Sequence, residues 1–194
     1  MSNAILIEEI GRNIVVRFNR PEIRSPLSIL VLEDLRKVAD EIGVRDDIDT
    51  LIFTGVGNVF ASGADLREIA GIEIEGAREF ALRGQELMGR ISELPVLTIA
   101  AVNGICFGGA LDLALACRYR IGSPDAVFSH PGTDLGIITG WGGTQRLPRL
   151  VGKGVALEMF FSAKRVTANE ALSIGLVDRV VTDPLESALN FPSM

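Results

Sequence analysis

Apolar positions along this chain fall into two patterns: short β-branched runs, and longer stretches with apolar residues three and four apart. Ile5–Ile10 and Asn13–Phe18 are runs of the first kind, split by Gly11-Arg12, and predict a hairpin. Pro21, in Asn19-Arg20-Pro21-Glu22, ends the second strand in a turn. From Ser28, a good N-cap, the spacing of Leu32, Leu35, Ala39 and Ile42 predicts a helix to about Val44. Thr50–Thr54 reads as a strand, the small-residue segment from Gly55 to Leu66 as a loop with open backbone amides, and 67–75 as irregular. A second amphipathic helix is expected from Gly76 to Ser92, with Ala77, Phe80, Ala81, Leu87, Met88 and Ile91 inward.

The stretch from Ala100 to Cys117 organises the rest. It ends an apolar run, breaks at Asn103-Gly104, and after Gly108-Gly109 becomes an apolar helical pattern, so it reads as strand, sharp turn and helix. Paired glycines at a helix mouth leave N–H groups uncovered, where an anion or oxyanion can approach. The helix is apolar all round, which predicts burial. Asp112, its only charged residue, has two explanations. It satisfies the free N–H groups of the first turn, or it faces a cavity and handles protons. Two strands follow at Tyr119–Gly122 and Ala126–Ser129, then a Gly-rich loop from His130 to Pro148. Helices are expected near 143–151, 154–163 and 168–174, and a last strand at Val177–Val181. The alternation of strands and helices favours an α/β fold.

Composition narrows the function. A length of 194 residues fits one domain. Glycine accounts for 21 residues, against ~14 for an average composition, so close backbone approaches are expected. A net charge of −6 with no basic block argues against nucleic-acid binding, and no apolar run or leader pattern points to a membrane or to export. A cytoplasmic protein is expected. Two cysteines and a single histidine, His130, do not make a metal site. Cys106 and Cys117, read as joined by helix at ~1.5 Å per residue, are too far apart for a disulfide.

Five segments in order resemble the crotonase superfamily, the enoyl-CoA hydratase/isomerase family: Asn19–Glu22, Phe60–Leu66, Ala100–Gly104 with Gly108-Gly109, Gly142–Leu147 and Gly175–Asp178. The resemblance runs from about Ile14 to Val181. It implies an α/β spiral of ββα units around an acyl-CoA pocket, with most of the family's C-terminal helical region absent after about 183. It also implies that the N–H groups of Ala64 and Gly109 hold the thioester oxygen, with Asp112 as acid/base. The loop Ala61, Ala64, Asp65, Leu66 would line the adenine end of coenzyme A, with Arg24 and Leu27 as further binding candidates. Coenzyme A would come as part of the substrate, with no permanently bound cofactor and no metal. The family further implies a homo-oligomer, a trimer or a dimer of trimers.

The pattern also departs from the family. Hydratases that resemble this chain carry two glutamates; here the positions hold Asp112, one methylene shorter, and Gly132. Dienoyl isomerases of the superfamily also have Asp in the central helix, with a further carboxylate where this chain has Gly140. Dihydroxynaphthoyl-CoA synthases have Gly at the second position. His130 and Asp134 stand near the vacant acid, as substitutes or as structural residues, and Trp141 as a roof or a packing plug. The leading expectation is an acyl-CoA enzyme of the hydratase/isomerase type. The alternatives are a catalytically weak acyl-CoA binder, or another crotonase-type reaction such as decarboxylation or thioester hydrolysis.

Overall fold

The computed structural model describes residues 3–192. The chain opens with the hairpin β1 (Ile5–Ile10) and β2 (Asn13–Phe18), then α1 (Ile29–Ile42). Three turns of similar build follow. The first is β3 (Thr50–Gly55), β4 (Val59–Ala61), α2 (Leu66–Ala70) and α3 (Ile74–Ser92). The second is β5 (Leu97–Val102), β6 (Ile105–Phe107) and α4 (Gly109–Ala116). The third is β7 (Tyr119–Gly122), β8 (Val127–Ser129), a 3-10 turn over Pro131–Leu135, α5 (Gly143–Val151) and α6 (Lys153–Ser162). β9 (Val166–Thr167), α7 (Ala168–Ser173), β10 (Arg179–Val180) and α8 (Pro184–Leu189) complete the described chain.

Each turn places its long strand in a six-stranded sheet of order β1-β2-β3-β5-β7-β10 and its short strand in a four-stranded sheet of order β4-β6-β8-β9. Pairing is parallel except where β1 meets β2 and β9 meets β8. This is the α/β spiral of ββα units that the resemblance implied. The long parallel strands are buried on both faces, so their side chains divide by alternation. Val16, Leu51, Phe53, Ala100 and Val102 join the main core with Leu32 and Leu35 of α1. Val15, Ile52, Ile99, Ala101 and Ile121 form a second layer with Ala188 of α8.

The hairpin, α1 and α5 match their expected places. Ser28 caps α1 by accepting from the Val31 N–H at 3.4 Å, and Leu32, Leu35, Ala39 and Ile42 are buried as predicted; the helix stops at Ile42, two residues short of Val44. Three short strands were not predicted. β4 and β6 lie in stretches read as loop and turn, and β9 in an unassigned one; at two or three residues none carries a period. The segment read as irregular holds α2, whose N-cap Asp65 accepts from the Arg67 N–H at 3.0 Å. The predicted last strand shrinks to Arg179–Val180, and α8 follows it behind the Asp183 cap. Because Cys106 lies on β6, the residues to Cys117 are not all helical, contrary to that premise; both thiols are free and buried.

Asn103-Gly104 sets the height of the inner strands. The Asn103 amide accepts from the Gly55 N–H at 2.9 Å and donates to the carbonyls of Gly57 and Val59 at 2.8 and 3.2 Å. A Cβ on Gly104 would lie 1.9 Å from the Asn58 carbonyl oxygen, so only glycine allows this approach. The clamp holds the β3–β4 and β5–β6 crossings together, and with them the two segments that leave β4 and β6 toward the cavity.

Candidate active site

Those two segments meet. Gly63, at φ +92°, turns the chain after β4 so tightly against the exit of β6 that a Cβ there would lie 2.8 Å from the Gly109 nitrogen. The Leu27 N–H donates to the Gly63 carbonyl at 2.8 Å and holds the turn from behind. The residues after each turn, Ala64 and Gly109, line one cavity of about 370 Å³. Among the described residues, neither the Ala64 nor the Gly109 N–H has a hydrogen-bond acceptor. Two unpaired amides beside a cavity are donors for an oxygen that gains negative charge.

The rest of the cavity is mostly apolar. Leu66, Ile69 and Ile72 come from α2 and the turn after it, Ala77, Phe80 and Ala81 from α3, and Leu135, Ile137 and Ile138 from the loop after β8. The expectation that Ala77 and Ala81 pack inward is corrected: Ala77 is exposed and Ala81 half-buried, because the first half of α3 overhangs the cavity. Leu87, Met88 and Ile91 of that set are buried in the core, and the half-buried Phe80 packs against it beside Trp141. A larger groove of about 730 Å³ runs between α1 and α3. Its walls are paired charges, Arg83 with Glu33 and Glu79 and Arg90 with Asp40, which marks a solvated seam between helices.

Asp112 faces the cavity and does not cap its own helix. Its Oδ2 accepts from the Thr139 hydroxyl and from the Trp141 N–H at 3.2 Å, both in the following loop, rather than capping its own helix. Its residue is wholly buried and lines the cavity. Burial pushes its carboxyl up to about 7, although the Thr139 and Trp141 bonds, the Arg146 charge and the nearby Gly143 N–H pull the other way. Desolvation outweighs the bonds, so the group changes protonation near neutrality.

His130 lies in the same wall, its Nε2 3.6 Å from Asp112 Oδ1. Burial lowers its imidazole to about 4, so at neutral pH the two do not form an ion pair. Asp134, the other proposed substitute, is exposed on the 3-10 turn and does not line the cavity. Trp141 is both plug and roof: it is buried, lines the cavity, and fits between two glycines. A Cβ on Gly84 would lie 2.1 Å from its indole, and one on Gly109 2.3 Å from the opposite edge.

Gly132 also lines the cavity, but its loop has closed around it. A Cβ there would meet the Ile137 carbonyl oxygen at 2.6 Å, and the Ile137 N–H donates to the Gly132 carbonyl at 2.9 Å. Gly132→Glu is therefore expected to destabilise the chain by about 2 kcal/mol, visible in thermal unfolding, and to leave activity no higher. A gain in turnover would contradict this reading of the loop.

The remaining binding candidates sit around the same turn. Leu66 is 53% exposed at the cavity wall, whereas Ala61 and Leu27 are buried beneath it. Asp65 is buried and holds Arg67 at 2.6 Å. Arg24 is exposed in a left-handed turn, and its carbonyl accepts from the Ser62 N–H at 3.0 Å. Among the described residues no cluster of His, Cys, Asp or Glu could hold a metal ion, and no helix is long and apolar enough to cross a membrane.

The family model for enoyl-CoA hydratase/isomerase matches residues 9–188. The chain belongs to the enoyl-CoA hydratase/isomerase family. It is 39% identical to the short-chain-enoyl-CoA hydratase of Clostridium acetobutylicum over 92% of this chain and 69% of that protein. It is 38% identical to the crotonyl-CoA hydratase of Syntrophomonas wolfei, over 91% of this chain and 68% of that one. The chain thus spans about two thirds of the length of these family members. Among solved structures, Pseudomonas aeruginosa DspI superposes with a TM-score of 0.92 at 36% identity, covering 97% of this chain and 78% of that one. An enoyl-CoA hydratase from Bacillus anthracis gives a TM-score of 0.89, also at 36% identity, over 96% and 72%. Hydratase/isomerase-type enzymes are thus the chain's relatives in both sequence and fold.

Proposed function

We propose that the chain acts on acyl-CoA thioesters through an enolate, with the thioester oxygen held by the N–H groups of Ala64 and Gly109. The observation that carries this is the convergence of two unpaired amides and a buried carboxyl near its titration midpoint on one apolar cavity. Two such donors are aimed where charge develops, and each is worth ~3 kcal/mol in related oxyanion sites.

Asp112 then carries the proton. In hydration its carboxylate takes a proton from water as the oxygen bonds to the β-carbon, and the acid returns that proton to the α-carbon of the enolate. In isomerisation it moves a proton between two carbons of the acyl chain. Either job alternates base and acid, which a group titrating near 7 performs in both directions. The segment Ala61–Leu66, backed by Leu27 and Arg24, carries the coenzyme A end; support comes from Leu66 at the cavity wall and the bonds that tie Leu27 and Arg24 to Gly63 and Ser62.

The test is deuterium uptake at the α-carbon of saturated and unsaturated acyl-CoA thioesters in heavy water, read by mass spectrometry. Enzyme-dependent uptake is expected, and the products distinguish hydration from isomerisation. Tight acyl-CoA binding without uptake would favour a binding protein, the reading that Gly132 supports by supplying no second acid.

A further inference from the structure

Asp112 is not symmetrical. Oδ2 accepts two hydrogen bonds, from Thr139 and Trp141, while Oδ1 is buried without a partner and lies 3.6 Å from His130 Nε2. A proton on the carboxyl belongs on Oδ1, because the lone pairs of Oδ2 are engaged. The imidazole also lacks a polar anchor: both its nitrogens are buried without partners, and its ring packs tilted against Phe160 of α6, centroids 5.1 Å apart. With nothing behind it, the tautomer of His130 is set by the group in front. The approach depends on Gly143, where a Cβ would fall 2.1 Å from Oδ1 and 3.1 Å from the imidazole Cε1.

We propose that His130 is the positioning residue for Asp112: when the carboxyl is protonated on Oδ1 the pair closes from 3.6 Å and Nε2 accepts that proton in a hydrogen bond. The inference rests on the proposed role of Asp112 and adds what steadies it. While the enolate waits, the acid form of Asp112 must hold its proton in one place, and the His130 lone pair fixes where. No proton is gained or lost by the imidazole; it accepts a hydrogen bond, and the proton stays on oxygen until the α-carbon takes it. Other titratable groups facing the pair are few. Arg146 of α5 acts on Asp112, and the Cys106 thiol of β6, pushed well above its ordinary value by burial, stays neutral.

Because His130 is the only histidine, its imidazole can be read in the unaltered protein. Nitrogen NMR of ¹⁵N-histidine-labelled protein from pH 5 to 9 should show Nε2 unprotonated and hydrogen-bonded at the acid end. Its shift should inflect once near 7, and the inflection should vanish in Asp112→Asn. A flat shift, an inflection that survives in Asp112→Asn, or an Nε2 that carries the proton at pH 6 would each overturn the proposal. In kinetics, losing the acceptor removes support from the protonated carboxyl. The midpoint of kcat/KM against pH should therefore fall by about one unit in His130→Leu, with KM unchanged. His130→Gln, with an acceptor near the old Nε2, should bring it back toward the wild-type value. A midpoint unmoved in a folded His130→Leu protein means His130 only packs. If that variant does not fold, the NMR experiment decides alone. The NMR needs no substrate, so an inflection without α-carbon exchange would sink the enolate reading and leave the pair standing.

Discussion

Asp112→Asn should lower turnover by ~10³ while leaving acyl-CoA affinity and thermal stability nearly unchanged. The amide oxygen can keep the bonds from Thr139 and Trp141, and its NH₂ can donate to His130 as the acid O–H would. Shape and bonding survive; only the movable proton is lost. Rates of α-carbon exchange, calorimetric binding of an acyl-CoA and a melting curve, measured on the same preparation, check all three parts. Full activity in this variant would remove Asp112 from the chemistry, and a large fall in melting temperature would make its role structural.

The second large effect is expected at Gly109. Gly109→Ala puts a methyl 2.3 Å from the Trp141 ring, and the other edge of the ring already fills the place that a Cβ on Gly84 would take, so the α3 backbone limits its retreat. Overpacking of a rigid ring against backbone should cost about 3 kcal/mol, which for a chain of this size is a fall of roughly 6–12 °C in melting temperature. The shift also turns one of the two proposed oxyanion donors, so kcat/KM should drop by ~10². Trp141→Leu in the same background should restore part of the stability by giving the methyl room. If the double variant is no more stable than Gly109→Ala alone, the clash lies elsewhere.

Much of the fold is written locally. Gly11 at φ +62° makes the hairpin, Ser28 opens α1, and Gly142 at φ +108° precedes α5. The elements that escaped prediction are of two kinds. The inner strands β4, β6 and β9 exist because neighbouring turns of the spiral line up, and nothing in two or three residues announces that. The two short helices α2 and α8 do carry cap signals in the sequence: Asp65 before α2, and Asp183 before Pro184 and Glu186 at α8.

The site divides in the same way. Open amides at Ala64 and Gly109 follow from small residues at turns, and a lone carboxylate in an apolar helix marks Asp112. Which oxygen of Asp112 is engaged, and that His130 faces the other, depends on two loops brought together across the cavity. The wedge of Trp141 between Gly84 and Gly109 joins residues 57 and 32 positions away, a distance no local pattern spans.

The Asp112–His130 contact also bears on how the chain folds. In the unfolded chain Asp112 ionises at its ordinary 3.8 and His130 at 6.5, so between those values the pair is carboxylate and imidazolium. In the fold the order is reversed, at about 7 and about 4, and the pair is carboxylic acid and imidazole. Asp112, raised by folding, contributes stability that fades as pH rises from about 4 to 7. His130, lowered by folding, contributes stability that fades as pH falls from about 6.5 to 4. Across the shared window the two slopes cancel. Folding hands one proton from the histidine to the aspartate and draws none from solvent, so a pair of buried ionisable groups leaves this part of the stability curve level.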